Sequence, residues 1–200
     1  MSASVSLSPA IQPAAKTGPI RHLWTVDEFQ RMGETGFLDP EARLELIEGE
    51  LFEMAPIGSF HAGTVGILNR LFMRSVAGTQ VVYVQNPIVL GDDSEPQPDI
   101  VLLRPRADYY LGAHPRAGDV LLLIEVSDST VQFDRKTKVP LYARHGIPEV
   151  WLLDVNAGEM TVYLEPAEGQ YRLIRKPTRA EAVSPTLVPA VAISLAEVLA

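Results

Sequence analysis

Short blocks of hydrophobic residues, separated by turn residues, run through most of the chain, and such blocks are typical of β-strands. The most apolar block, VLLLIEV at residues 120–126, is hydrophobic on both faces and predicts a central strand covered on both sides. A Glu48-Gly49 pair between alternating hydrophobic residues predicts a tight turn between two strands. The predicted strands are two within residues 43–54, and then 81–90, 99–103, 120–126, 150–155, 160–164 and 171–174.

Apolar residues at helical spacing predict helices between these strands. Thr25 and Glu28 form a capping box before the first helix, and Trp24 and Phe29 occupy the positions of a hydrophobic staple. Strands and helices mix without strict alternation, which predicts an α+β or mixed-sheet α/β fold. The predicted helices cover residues 26–32, 61–76, 134–145 and 195–199.

The first 20 residues differ in composition from the rest of the chain. They are rich in Ser, Ala and Pro, and Lys16 is their only charged side chain. Pro9 and Pro13 interrupt the apolar run that a signal peptide would need. We therefore predict a disordered tail over residues 1–20 and, because 200 residues suit one globular unit, a single domain over residues 21–200.

Composition and charge exclude several classes of function. The chain has no cysteine, which excludes disulfides, thiol catalysis and cysteine zinc sites and fits a reducing cytoplasm. No apolar run is long enough for a membrane span. The four histidines lack ligand spacing, so we expect each to be exposed or to cap a helix. A net charge of −8 argues against tight, sequence-independent binding of nucleic acid, but it is compatible with a small acidic metal site.

Two carboxylates stand where predicted strands meet loops. Glu125 lies near the end of the most apolar strand, on the face that simple alternation assigns to Leu121, Leu123 and Ser127. An ionised carboxylate there is costly unless it is paired or binds a metal, which favours a functional role over an ordinary salt bridge. Asp99 opens the preceding strand and, taken alone, is typical of a turn. If the two strands pair antiparallel, Asp99 and Glu125 come together in an oxygen-rich site suited to Mg²⁺ or Mn²⁺.

Two lysines lie at the head of the predicted helix that follows. Lys136 and Lys138 are separated by about 200° around a helix, so only one can face the end of the sheet. Lys138, one turn ahead of Tyr142, is predicted to face inward, towards a phosphate or an attacking water, and Lys136 towards solvent. The residues leave a second interpretation open, in which Asp134 and Lys138 form a surface ion pair.

Three segments in a fixed order resemble a known family. The segments QPDIVLL, LLIEVSDST and DRKTKVPLYARHGIPEVWLLD are closely similar to the Uma-two family of restriction-endonuclease-like proteins, a branch of the PD-(D/E)XK nuclease superfamily. WTVDEF and LELIEGELFEM resemble the opening of that family, so the resemblance covers about residues 22–195.

The resemblance implies a restriction-endonuclease-like core, with a central mixed β-sheet flanked by helices, and a site for Mg²⁺ or Mn²⁺. Asp99 and Glu125 correspond to the metal-binding carboxylates. The superfamily places a lysine two residues after the glutamate, where this chain has Ser127. The lysine role then moves to Lys138, with Lys136 as second candidate. Glu45 resembles the acidic residue that often precedes the first motif, and it is the fourth catalytic candidate.

These inferences predict a metal-dependent endonuclease that hydrolyses phosphodiester bonds of nucleic acid. We expect a cytoplasmic homodimer with no membrane association and with DNA as substrate, although the residues leave RNA open. The alternative is a catalytically inactive, dimeric nuclease-fold protein that acts as a binding or scaffold module. The net charge of −8 favours this alternative, whereas the presence of Asp99, Glu125 and a nearby lysine favours the nuclease.

Overall fold

The computed structural model describes residues 19–76 and 78–199, so most of the tail predicted over residues 1–20 lies outside the described residues. The helices are α1 (Val26–Glu34), α2 (Ser59–Val76), α3 (Val131–Phe133), α4 (Val139–Arg144) and α5 (Leu195–Val198). The strands are β1 (Leu44–Ile47), β2 (Glu50–Glu53), β3 (Val81–Val84), β4 (Ile100–Leu103), β5 (Val120–Ser127), β6 (Glu149–Asp154), β7 (Glu159–Ala167), β8 (Gln170–Arg175), β9 (Ala182–Val183) and β10 (Ile193–Ser194).

Six strands form one sheet in the order β3-β4-β5-β6-β7-β8. Neighbouring strands are antiparallel except β5 and β6, which are parallel and joined by the helical segment that contains α3 and α4. A parallel pair needs such a crossover connection, since a short turn cannot return the chain to the same edge. The expectation of a mixed sheet flanked by helices is therefore confirmed.

The core lies on both faces of this sheet. On one face Phe72 of α2 packs against Trp151, with ring centroids 6.2 Å apart. On the other face Leu141 and Tyr142 of α4 pack against Leu123. All eight residues of β5 are buried, as the hydrophobicity of 120–126 on both faces predicts.

A bulge changes the predicted side-chain pattern at the start of β5. Leu102 pairs with Leu122, but Leu103 pairs with Val120, so Leu121 is an extra residue in this strand. Val120 consequently joins Leu123 on the α4 face, and Leu121 joins Leu122 on the α2 face. Simple alternation is wrong for these two residues, but beyond the bulge it holds and places Glu125 on the α4 face.

The first helix and the hairpin have the local features that the sequence predicts. The Thr25 hydroxyl accepts a hydrogen bond from the Glu28 N–H at 3.2 Å, and the Glu28 carboxylate accepts one from the Thr25 N–H at 2.9 Å. Glu48 and Gly49 join β1 to β2 with φ angles of 50° and 79°. A Cβ on Gly49 would lie 2.5 Å from that of Leu23, so this position requires glycine for space as well as for φ.

Several element boundaries differ from those predicted. The strand predicted over 81–90 ends at Val84, because Gln85 has a φ of 49° and turns the chain out of the sheet. The helix predicted over 134–145 begins earlier and contains a π turn at Asp134–Lys138, and the two short strands β9 and β10 were not predicted. None of the described helices combines the length and the apolarity that a bilayer crossing requires.

Candidate active site

The antiparallel pairing of β4 with β5 brings the two predicted carboxylates together. Ile100 pairs with Ile124, so the next position outward places Asp99 opposite Glu125. Side chains directly opposite each other in a sheet project from the same face. Both carboxylates lie on the α4 side of the sheet, and their residues are 6% and 3% exposed.

Three elements hold the Asp99 carboxylate. Its Oδ2 accepts a hydrogen bond from the backbone N–H of Val126 in β5 at 2.8 Å. Its Oδ1 accepts one from the side-chain amide of Gln85 at 3.1 Å. The Nε2 of His61, in the first turn of α2, lies 3.0 Å from the same Oδ1. This contact raises the pKa of His61 above its ordinary value, although partial burial lowers it.

Glu125 is held by the helical segment that follows β5. Its Oε1 accepts a hydrogen bond from the Tyr142 hydroxyl and lies 3.2 Å from the Nζ of Lys138. Burial raises the pKa of Glu125 well above its ordinary value; Lys138 lowers it, and the neighbouring carboxylates Asp134, Asp99 and Glu45 raise it further. Burial and the acidic neighbours together thus disfavour the charged form of Glu125 more than Lys138 favours it.

Lys138 lies between two carboxylates. Its Nζ donates a hydrogen bond to Oε1 of Glu45 at 3.1 Å and lies 2.9 Å from Oε2 of the same carboxylate. Burial alone would lower the pKa of Lys138, but the negative charges of Glu125 and Glu45 raise it above its ordinary value. Lys138 is 2% exposed, whereas Lys136 is exposed. The structure thus orients the two lysines as the helical spacing predicts, and the catalytic role of Lys138 stays a prediction.

A π turn sets the direction of Lys138. The Val139 N–H donates to the carbonyl of Asp134, five residues back, just before Pro140. Pro140 has no N–H to continue the regular ladder, so the wider turn accommodates it. Asp134 and Lys138 are both buried on the inner side of this turn.

Asp134 and Lys138, both of which the structure describes, do not form the ion pair that their spacing allows. The Asp134 carboxylate instead accepts hydrogen bonds from the hydroxyls of Ser127 at 2.7 Å and Thr130 at 2.6 Å. Ser127, which stands two residues after Glu125, therefore has a structural contact with Asp134.

Glu45 reaches the site from the β1–β2 hairpin, 93 residues away in sequence from Lys138. It is buried, and both of its carboxylate oxygens lie within 3.1 Å of the Lys138 Nζ. Burial raises the pKa of Glu45, and Lys138 opposes that shift. The structure places Glu45 against the lysine, and its role in catalysis stays a prediction.

Glu45, Asp99, Glu125 and Lys138 line one cavity of about 60 Å³ between the hairpin, α2 and the end of β5. That volume accommodates several water molecules or a partly hydrated ion. Its lining includes five acidic residues and three basic or imidazole side chains: Glu45, Asp99, Glu125, Asp128 and Asp134, and Arg43, His61 and Lys138.

The residues of this cavity fit a hard divalent cation. Four of the carboxylates are buried, and Lys138 is the cation that contacts two of them, Glu45 and Glu125. Among residues 19–76 and 78–199, no three acidic or histidine side chains converge into a preformed metal site. Mg²⁺ usually binds through one or two carboxylates and keeps several waters, so Asp99 and Glu125 would suffice to hold it.

The contacts of two polar side chains in the site, His61 and Gln85, are not predicted from the sequence. His61 was expected to be exposed or to cap a helix, but its side chain is 12% exposed and contacts Asp99. Gln85 was predicted inside a strand, and nothing in its neighbours indicates the contact. Tyr142, one turn after Lys138, packs inward, and its hydroxyl donates a hydrogen bond to Glu125.

Comparisons with known proteins agree with this architecture. Residues 26–196 match the sequence model of the Uma2 family, whose description is "Putative restriction endonuclease". The crystal structure of a "putative nuclease belonging to DUF820" from Anabaena variabilis is similar, with a TM-score of 0.67 and 17% sequence identity, over 88% of this chain and 97% of that chain. At this identity the similarity shows a common fold. No curated protein matches the chain.

Proposed function

Because the chain belongs to the Uma2 family, we propose that it is a nuclease that uses a divalent cation to hydrolyse phosphodiester bonds in DNA. The observation that carries this proposal is the convergence of Asp99, Glu125 and Lys138 on one buried cavity. Burying two carboxylates and an ammonium group together costs stability, and groups buried in this way cluster at functional sites.

Asp99 and Glu125 are the residues that would hold Mg²⁺ or Mn²⁺. An ion bound there would stabilise negative charge on the phosphate and lower the pKa of a water molecule. The hydrogen bonds to Oδ2 of Asp99 and Oε1 of Glu125 restrict both side chains before any ligand arrives. Such preorganisation reduces the cost of binding.

Lys138 acts through its charge and its hydrogen bonds. Glu125 and Glu45 keep its ammonium group protonated, so it donates hydrogen bonds to a phosphate oxygen or to the attacking water. Glu45 and Glu125 contact it on the protein side and fix its direction. Because the cavity is shielded from bulk water, the ammonium interacts with an anionic phosphate more strongly than an exposed lysine does.

We further propose a cytoplasmic homodimer. The lack of cysteine fits a reducing compartment, and the two active sites of a homodimer would allow both strands of a duplex to be cut in one encounter. Because a net charge of −8 gives the surface little general attraction for DNA, we expect the substrate to be held mainly at the site.

Plasmid nicking with the full chain tests this function. Wild type is expected to nick supercoiled plasmid in Mn²⁺ and to lose all nicking in EDTA. Asp99→Asn, which keeps the size but removes the charge, should reduce nicking at least about 100-fold. Asp92→Asn is the matched control, because Asp92 is exposed and outside the cavity.

Two outcomes contradict the proposal. Equal nicking by wild type and Asp99→Asn would show that the cleavage occurs elsewhere or comes from a contaminant. Mn²⁺ binding with no nicking of duplex, single-stranded DNA or RNA would support the inactive binding module instead.

A further inference from the structure

The Asp99 carboxylate is held by side chains from two distant parts of the chain. His61 reaches it from α2, with Nε2 3.0 Å from Oδ1. Gln85 reaches it from the segment after β3 and donates a hydrogen bond from its amide to the same Oδ1 at 3.1 Å. We propose that His61 and Gln85 form a clamp of positioning residues that fixes the direction in which Asp99 presents its carboxylate to a divalent cation.

The His61 side of the clamp is shielded from water. The side chains of His61 and Asp99 are 12% and 9% exposed, so solvent cannot easily replace this contact. The other ring nitrogen, Nδ1, is buried without a hydrogen bond to any described residue. The fold therefore places a polar ring in a nearly dry position where its contact is with Asp99, and burying a polar group in this way carries a cost.

The Gln85 side of the clamp rests on strained backbone. Gln85 has a φ of 49°, a region that residues other than glycine rarely adopt. In this conformation its backbone N–H donates to the Asp99 carbonyl at 3.1 Å while its side chain donates to the Asp99 carboxylate. One strained residue thus binds both the main chain and the side chain of Asp99. Strain of this kind is concentrated at functional sites.

The clamp controls the torsion that the strand leaves free. An aspartate carboxylate rotates easily about χ2, because that torsion is broad. The Val126 N–H donates a hydrogen bond to Oδ2 only. The other oxygen, Oδ1, is contacted by both His61 and Gln85. Removing either should leave the strand intact but leaves Oδ1 with a single partner. The carboxylate is then less well ordered, and a cation that must order it binds more weakly. Groups that orient a metal ligand in this way typically change metal affinity about 10- to 100-fold.

Calorimetric titration of Mn²⁺ into the full chain tests the clamp, which rests on the proposed function because it takes Asp99 as a cation ligand. His61→Ala and Gln85→Met should each weaken Mn²⁺ binding about 10- to 100-fold. His61→Gln should restore affinity to within about 3-fold of wild type, because its amide nitrogen can reach the position of Nε2 and donate to Asp99. His114→Gln and Gln132→Met are matched controls at exposed positions and should change nothing.

The outcomes separate this inference from the proposed function. Loss in His61→Ala with recovery in His61→Gln supports a positioning role, since a merely structural histidine would give no such recovery. Wild-type affinity in both His61→Ala and Gln85→Met, with Glu125→Gln still impaired, would overturn the clamp alone. If wild type binds no Mn²⁺, the proposed function and the clamp both fail. If His61→Ala does not fold, Gln85→Met decides the outcome in the same way.

Discussion

Replacing Lys138 with Met is expected to reduce Mn²⁺-dependent nicking about 100- to 1,000-fold, whereas replacing Lys136 with Met has a weak effect. Lys138 is buried against Glu45 and Glu125 at the cavity, and methionine keeps the length of the side chain but removes its charge. Mn²⁺ affinity should remain or increase, because the substitution removes a cation that competes for the carboxylates. Initial rates of plasmid nicking and calorimetric titration of both variants measure the two effects.

Salt dependence separates the two lysines further. Lys136 is exposed, so its contribution is attraction of phosphate through solvent, and its small effect should disappear as salt rises. The effect of Lys138→Met should persist, since a buried charge is poorly screened. A larger effect at Lys136 would mean that the π turn at Asp134–Lys138 presents the other lysine to the substrate. If neither substitution changes the rate, no lysine of this segment takes part.

Glu125→Gln is expected to weaken Mn²⁺ binding at least about 100-fold while the protein stays folded. The amide keeps the shape of the side chain but removes the negative charge that a cation needs. The neighbouring carboxylates and burial disfavour that charge in the folded protein, so its removal should leave the thermal midpoint unchanged or higher. Titration calorimetry and thermal unfolding without metal measure these two results.

Glu149→Gln is the matched control for this substitution. Glu149 is also buried and lies at the start of β6, but its carboxylate accepts hydrogen bonds from the Trp151 indole and the Thr186 N–H. A glutamine amide has one acceptor oxygen, so one of these two donors loses its hydrogen-bond acceptor. The variant should therefore lose about 1–3 kcal/mol of stability, with unchanged Mn²⁺ affinity. Equal Mn²⁺ affinities in wild type and Glu125→Gln would contradict the assignment of Glu125 as a ligand.

Local pattern and strand order were sufficient to predict part of the site. Asp99 and Glu125 meet because two strands that follow each other in sequence pair antiparallel, which is a short-range feature of topology. The inward direction of Lys138 follows from its spacing to Tyr142 on one helical segment. Both inferences use only the periodicity of single elements and the pairing of neighbours in the chain.

The missed features depend on long-range packing or on backbone geometry that the residue types do not indicate. His61 contacts Asp99 because α2 packs across the sheet, and no pattern within α2 gives that orientation. Glutamine is uncommon at a positive φ, so the end of β3 at Gln85 had no signal in the sequence. The bulge at Leu121 lies in a segment that is apolar on both faces, where an inserted residue leaves the hydrophobic pattern unchanged.

The anomalous scattering of Mn²⁺ in crystals of the full chain tests the central claim most directly, because it locates the cation without relying on activity. The account predicts a peak in the cavity at the end of β5, within about 2.0–2.6 Å of a carboxylate oxygen of Asp99 and of one of Glu125. A peak bound by other residues, or none at an Mn²⁺ concentration that supports nicking, would contradict it.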